Sequence, residues 1–455
     1  MPIDVEPPNI LFILFDKCRR DALGAYGRRD VHTPRIDELA RSGALFTTCY
    51  TPQSLCGPAR ASILTGRHPH VHGLCRNVYP HTEWAGHPNV FPEAIPDPFS
   101  DGRFRLWDNV AFFLHNAGYR TAHIGKWHLG MGNPGFFDVW RSFNSGLPHW
   151  VGTPHASAWR PDVHTDHGIE FIAQNRDRPF FLYQSYYPPH DPLDPPRRFL
   201  EPFAGREVGG DPTPPAYDAT ISSLDENVGR LLDTLETHGL RERTLVVLAS
   251  DHGRPWDTSR PGTGAGGQLS IPYDEVARVP LVMSWPQRIP AGTTHRAGVS
   301  LVDLMPTILD AAGVHGRAPK SATSQRFDGS VDPAERSLLP DLQAGRDTWR
   351  RPVVLQNIAM TALDGSLFQD RALRTERHKL IVRRFDTGNH PPHRLCELFD
   401  MSADPGETVN LATAPEHRGT VRDLAGQLLA WGEEEADALA VELGARTLAA
   451  AERGS

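Results

Sequence analysis

Six consecutive apolar residues, Ile10-Leu11-Phe12-Ile13-Leu14-Phe15, run without a polar break and stop on Asp16. Such a run predicts a strand buried on both faces, as in a parallel sheet covered by helices. Pro179–Ser185 and Thr244–Ser250 repeat the pattern, and Tyr119–His123 and Val279–Met283 give further strands. Between them the apolar spacing becomes helical. Pro34–Ser42 turns Ile36 and Leu39 to one side, Tyr217–Gly239 does the same with Ile221, Leu224, Val228, Leu231, Leu232 and Leu235, and Trp107–Asn116 and Leu301–Ala312 are shorter cases. Buried strands alternating with amphipathic helices predict an α/β fold: a large mixed, mostly parallel sheet flanked by helices.

Beyond a polar, proline-containing stretch from Ala318 to about Arg346 the pattern changes. Short strands at 372–375, 379–382 and 397–400 and a helix over 415–439 predict a smaller C-terminal α+β domain. The expected division is 1–345 and 346–455. Residues 68–105, rich in Pro, His, Gly and Trp, show no period and read as an insertion that walls a substrate pocket.

The 455 residues carry a net charge of -8, which argues against nucleic acid or an anionic membrane surface as partner. No apolar run reaches membrane-spanning length, and Met1–Glu6 lacks a positive leader and apolar core, so a cytoplasmic location is expected. Cys18, Cys49, Cys56, Cys75 and Cys396 show neither a disulfide framework nor zinc-knuckle spacing.

Candidate chemistry gathers where the strands end. Asp16 closes the first run, His190 lies beyond the run at 179–185, and Asp251-His252 follows the run at 244–250. Open α/β sheets place ligands at those ends. Two carboxylates and an imidazole suit a divalent cation. Pro58 is pre-set for the first turn of a helix, which leaves Cys56 just ahead of an end that favours anions. Arg60, one turn inside, can grip an oxyanion with two parallel hydrogen bonds. Lys126 and His128 are expected in a neighbouring loop. A lone Cys-x-Pro would read as a buried, inert thiol, and Lys126 and His128 alone as solvated loop. Together they point to chemistry on a sulfate or phosphate ester.

Cys56-Gly57-Pro58-Ala59-Arg60, followed by Ala61-Ser62-Ile63-Leu64-Thr65-Gly66-Arg67, resembles the sulfatase signature, and Gly125-Lys126-Trp127-His128-Leu129-Gly130 resembles a second one. From Asn9-Ile10-Leu11 through Glu397–Asp400 and Asp404–Glu407 the chain looks like a type I sulfatase of the alkaline phosphatase superfamily. That resemblance implies hydrolysis of a small sulfate ester by a formylglycine, made from Cys56 by a formylglycine-generating enzyme. Its hydrate would attack sulfur to give a covalent hemiacetal ester. The resemblance makes His128 the base that collapses this ester and Arg60 the group that steadies the hydrate. Lys126 and His190 would hold the anion, His190 also serving as leaving-group acid. Asp16, Asp251 and His252, with residue 56, would hold one divalent cation.

Two departures from the family pattern stand out. Lys17 occupies the place of a second aspartate, and Gln268 and Leu269 stand where a lysine precedes the Tyr273-Asp274-Glu275 segment. One carboxylate fewer weakens a calcium site, while Asp, Asp and His suit manganese, with magnesium a further candidate. Two alternatives accompany the sulfatase reading: a phosphonate monoester or phosphodiester hydrolase with the same nucleophile, and a non-catalytic anion-binding homologue. A hydrolase using the unmodified thiol is disfavoured, because no histidine is evident beside Cys56 to activate it.

Overall fold

The computed structural model describes residues 6–78, 109–130, 132–144, 158–205, 213–255, 272–314, 336–361, 367–385 and 395–453. Its large sheet is built from β1 (Asn9–Phe15), β2 (Ala44–Tyr50), β3 (Arg120–Lys126), β4 (Val139–Phe143), β5 (Phe180–Ser185), β6 (Thr244–Ser250), β7 (Arg278–Ser284), β8 (Thr293–His295) and β9 (Val299–Ser300). The strand order is β4-β3-β5-β1-β6-β7-β2-β8, with β9 also on β2. Only β7 runs against its neighbours β6 and β2; the other pairings are parallel. The mixed, mostly parallel sheet is as the apolar runs predict.

β1 lies between β5 and β6, which explains its unbroken apolar run. Ile10, Phe12 and Leu14 enter the core on one face and Leu11, Ile13 and Phe15 that on the other. On the second face pack α1 (Pro34–Arg41), α4 (Arg160–Gln174) and α5 (Pro215–Thr237), through Ile36, Phe171, Ile221, Leu224 and Leu231. On the first pack α2 (Cys56–Thr65), α3 (Val110–Asn116) and α6 (Leu304–Ala311), through Ile63, Val110 and Ile308. Each fully buried side chain of this size contributes roughly 1.5–3 kcal/mol.

The second sheet is antiparallel, in the order β10 (Val353–Thr361), β11 (Leu367–Arg374), β12 (His378–Phe385), β13 (Cys396–Asp400). One face meets Tyr50, Tyr273 and Val276 of the large unit, and the other carries α7 (Arg418–Glu434) and α8 (Ala438–Arg453).

Several local expectations change. β2, β4, β10 and α4 went unforeseen. The helix expected over 415–439 is two antiparallel helices. Ala436 takes φ 58° between them, and Asp437 Oδ1 accepts from the N–H groups of Leu439 and Ala440, starting α8 anew. Gly432 and Gly444 let the pair touch, since a Cβ on Gly444 would meet Leu429 N at 2.8 Å. α3 starts only at Val110, because the Asn109 side chain accepts from Phe112 N at 3.0 Å and caps it.

Candidate catalytic centre

Parallel pairing sends the carboxyl ends of β1, β2, β3, β5 and β6 to one edge of the sheet. Asp16 directly follows β1, Lys126 is the last residue of β3, and Asp251 and His252 directly follow β6. From β2, residues 51–55 lead into α2, which opens on Cys56 itself rather than on Pro58. Cys56 is thus the first residue of the helix, not a residue ahead of it, and Cys56, Arg60 and Lys126 sit on regular elements rather than loops. Leu55, the residue before the helix, is extended and its side chain makes no cap. Asn77 accepts from Gly57 N at 2.8 Å, fixing the second residue of the turn. β3 and β5 approach so closely beyond this edge that a Cβ on Gly125 would lie 1.8 Å from Ser185 O.

Backbone strain gathers here. Lys17 and His128 hold φ of 66° and 61°, a left-handed conformation that costs a residue with a side chain about 1–3 kcal/mol. Both flank site residues, which is where a fold tolerates such a cost.

Arg60 ties the centre together. Its Nε donates to Asp251 Oδ2 at 3.0 Å and its Nη2 to Asp16 Oδ2 at 2.9 Å. Its Nη1 donates to Lys126 O and Ser185 Oγ, both at 2.7 Å. One guanidinium therefore fixes the ends of β1, β3, β5 and β6, a bridging role its planar fork allows and a lysine could not fill. Lys126 Nζ lies 2.5 Å from the same Asp16 oxygen.

The remaining donor atoms face one another. Cys56 Sγ is 3.2 Å from His252 Nε2 and 3.8 Å from Asp16 Oδ1. Asp16, Cys56, Asp251 and His252 each offer a buried ligand atom, all within 4.8 Å of one another. His252 Nδ1 donates to Gly253 O at 2.8 Å, so Nε2 is the nitrogen turned into the cluster. Nothing local in the chain puts a histidine beside Cys56; the fold brings His252 there, in keeping with the grouping the resemblance implies, because β6 and α2 converge on this edge. The backbone N–H groups of Lys17 and His252 donate to Asp251 Oδ1 at 3.1 and 2.8 Å.

The charges follow from these contacts. Burial opposes ionisation of Asp16, but Lys126 and Arg60 overcome it and hold the carboxyl well below its usual range. Burial and the nearby Asp16 push Asp251 up. Burial also opposes charge on His252, yet Asp251 and Cys56 raise it to about 9. Lys126 is raised against burial by Asp16 and stays cationic. Burial, with Lys126 and Arg60, pushes His128 well down and leaves it neutral.

His190 stands at the edge of this group, its ring 4.8 Å from that of Tyr187 and its Nδ1 3.0 Å from Asp191 O. Burial lowers it to about 3, so it starts neutral, which a cationic acid for the leaving group could not be. An anionic substrate beside it would raise that value. Ser185, Tyr187 and Asp191, which hold Arg60, Lys126 and Lys17 in place, escaped the sequence reading. Ser185 could have been found as the polar end of a buried run. Gln268, Leu269 and most of the 68–105 insertion lie outside the described residues.

Residues 8–314 match the Sulfatase family model, and residues 270–434 match that of the N-sulphoglucosamine sulphohydrolase C-terminal region. Human arylsulfatase A is 30% identical, the match covering 89% of this chain and 83% of that protein. N-acetylglucosamine-6-O-sulfatase of Bacteroides thetaiotaomicron is 26% identical over 92% of this chain and 85% of its own. Among solved structures, one in complex with its substrate D-glucosamine-2-N,6-O-disulfate superposes with a TM-score of 0.72 at 24% identity, covering 95% of this chain and 99% of the other. The phosphonate monoester hydrolase of Agrobacterium radiobacter does so with a TM-score of 0.71 at 20% identity, covering 94% and 96%. The chain is a sulfuric ester hydrolase and belongs to the sulfatase family of the alkaline phosphatase superfamily.

Proposed function

We propose that this protein hydrolyses a small sulfate ester with residue 56, matured from cysteine to formylglycine, as the nucleophile, assisted by one divalent cation. The observation that carries the reading is the meeting of Cys56 Sγ, Asp16 Oδ1, Asp251 and His252 Nε2 within 4.8 Å, under the bridge of Arg60. Carboxylate oxygens, a sulfur and an imidazole nitrogen turned toward one another make a donor set for a divalent cation. Two oxygen donors, one nitrogen and residue 56 fit calcium, manganese or magnesium, the nitrogen favouring manganese. When present, formylglycine supplies a hydrate oxygen as nucleophile, and the cation supplies the positive charge that favours its attack and the developing oxyanion.

The chain's own residues do the rest. Arg60 sets the spacing of Asp16 and Asp251, and Lys126 brings a permanent cation to the anion's side of the pocket. The N-terminus of α2 adds its aligned N–H groups. In this reading His128, kept neutral, accepts a proton at residue 56, and His190 exchanges one with the leaving alcohol oxygen. The formylglycine-generating enzyme is the partner this maturation requires.

Peptide mass spectrometry across residue 56, on protein made together with that enzyme, is expected to find the aldehyde or its hydrate. Cys56→Ala should lower turnover of an aryl sulfate by about 10³-fold or more. An unmodified thiol in cells that convert a control sulfatase, or full turnover by Cys56→Ala, would overturn the reading. Lys17 in place of a carboxylate favours one second reading, hydrolysis of a phosphonate monoester or phosphodiester. A ratio of phenyl phosphonate to aryl sulfate turnover above one would select it.

A further inference from the structure

One aromatic ring is shared by two of the groups that the hydrolysis reading puts to work. Tyr187, just beyond the end of β5, is only 5% exposed. The Lys126 ammonium lies over its ring, 5.0 Å from the centroid, and the Arg160 guanidinium lies over it at 5.0 Å as well. The His190 ring packs on it at 4.8 Å, tilted by 37°. A cation over an aromatic face is attracted by the ring's quadrupole, most strongly where water is excluded. Lys126 is fully buried, so its ammonium meets that condition.

Lys126 and His190 reach this ring by different routes. Lys126 ends β3, and its ammonium lies 2.5 Å from Asp16 Oδ2. That ion pair fixes the distance to Asp16 but leaves the flexible lysine stem several ways of reaching it, and packing on the ring removes part of that freedom. His190 closes a turn on Tyr187 itself, its N–H donating to Tyr187 O at 3.1 Å, and its Nδ1 donates to Asp191 O at 3.0 Å. The turn sets where the imidazole starts, Asp191 holds one edge, and the Tyr187 ring supports its face. The Tyr187 ring is itself anchored by Phe143, the register partner of Lys126 on β4, at 6.2 Å, and by Arg160 at the start of α4.

We propose that Tyr187 is a positioning residue that sets the spacing between Lys126 and His190, and that it does so with its ring rather than its hydroxyl. The inference rests on the reading above, in which Lys126 holds the sulfate, while the leaving oxygen keeps the electron pair of the broken S–O bond and takes its proton from His190. A displaced imidazole then costs most where the leaving oxygen needs that proton most. 4-Nitrophenolate departs readily as an anion, whereas the more basic phenolate depends on the acid.

The test compares kcat/KM for phenyl sulfate and 4-nitrophenyl sulfate, using the matured, cation-loaded full chain. Tyr187→Leu should lose about tenfold more on phenyl sulfate than on 4-nitrophenyl sulfate, a difference that a smaller folded fraction cannot produce. Tyr187→Phe keeps the ring and should hold the parent ratio. Tyr187→Met is a second non-aromatic variant, longer and unbranched, for the case in which the leucine does not fold. Equal losses on both esters in the non-aromatic variants would overturn the proposal. So would a Tyr187→Phe ratio that moves as far as theirs, which would assign the role to the hydroxyl. If the unaltered enzyme turns over neither ester, the hydrolysis reading itself falls.

Discussion

Two of the buried charge clusters among the described residues differ in kind, and only one of the pair is built for chemistry. In the first, between the two sheets, Lys379 Nζ donates to Pro272 O at 2.7 Å, Asp274 Oδ1 at 2.7 Å and Glu407 Oε1 at 2.6 Å. Those are all three of its protons. Glu407 Oε2 in turn accepts from Asp274 N, and Tyr50 donates to Asp274 Oδ1. This cluster is closed, and it clamps β12 of the small sheet to the segment that enters β7. At the catalytic centre, Arg60 saturates one oxygen of each aspartate, while Asp16 Oδ1, Cys56 Sγ and His252 Nε2 are left pointing at one another. Burial and charge are common to both. What separates structure from function is whether the polar atoms satisfy each other or share a need for something from outside.

The comparison predicts different failures. Lys379→Met strands Asp274 and Glu407 in the interface and should cost about 3–5 kcal/mol, read as a lowered denaturation midpoint. Loss of less than 1 kcal/mol would show that the clamp is not closed as described.

His252→Ala should change stability far less but weaken manganese binding about 10–100-fold by calorimetric titration, whereas Lys17→Asp should strengthen calcium binding. Because His252 sits at about 9 with no cation bound, binding near pH 7 should also release a proton from it, measurable from the buffer dependence of the heat. Unchanged affinity in both variants would remove the cluster from consideration as a cation site.

The smallest effect concerns Asp370 on β11, fully buried, with Asn357 donating to its Oδ1 at 2.7 Å. Burial raises this carboxyl to about 6, so the folded chain holds a proton there that the unfolded chain releases near 4. Its stability contribution is therefore present below the unfolded value and is lost as pH rises through about 6. Asp370→Asn should raise the melting temperature above pH 7 relative to the parent and make little difference at pH 4; an equal shift at both would refute the assignment.

How much of this was legible in the sequence depended on scale. β1, β5 and β6 were readable because strands covered on both faces must be apolar throughout. β2, with Thr47, Thr48 and partly covered positions, and β4, with no fully buried residue, carry no such signature. Asp16, Asp251 and His252 were found because polar residues that close apolar runs are conspicuous. Ser185, Asp191 and the partners of Arg60 were not, because nothing local in the chain says which strand ends become neighbours.

The order of residues by itself determined the strands covered on both faces and the strongly amphipathic helices, the helix that begins around Cys56 and Pro58, and the kinds of side chain available for chemistry. Tertiary structure alone decided that β1 lies between β5 and β6, that His252 meets Cys56 across 196 positions of chain, and that Arg60 spans two carboxylates. The reason is physical: periodicity reports whether a residue is buried, while the packing of strand ends decides what it is buried against.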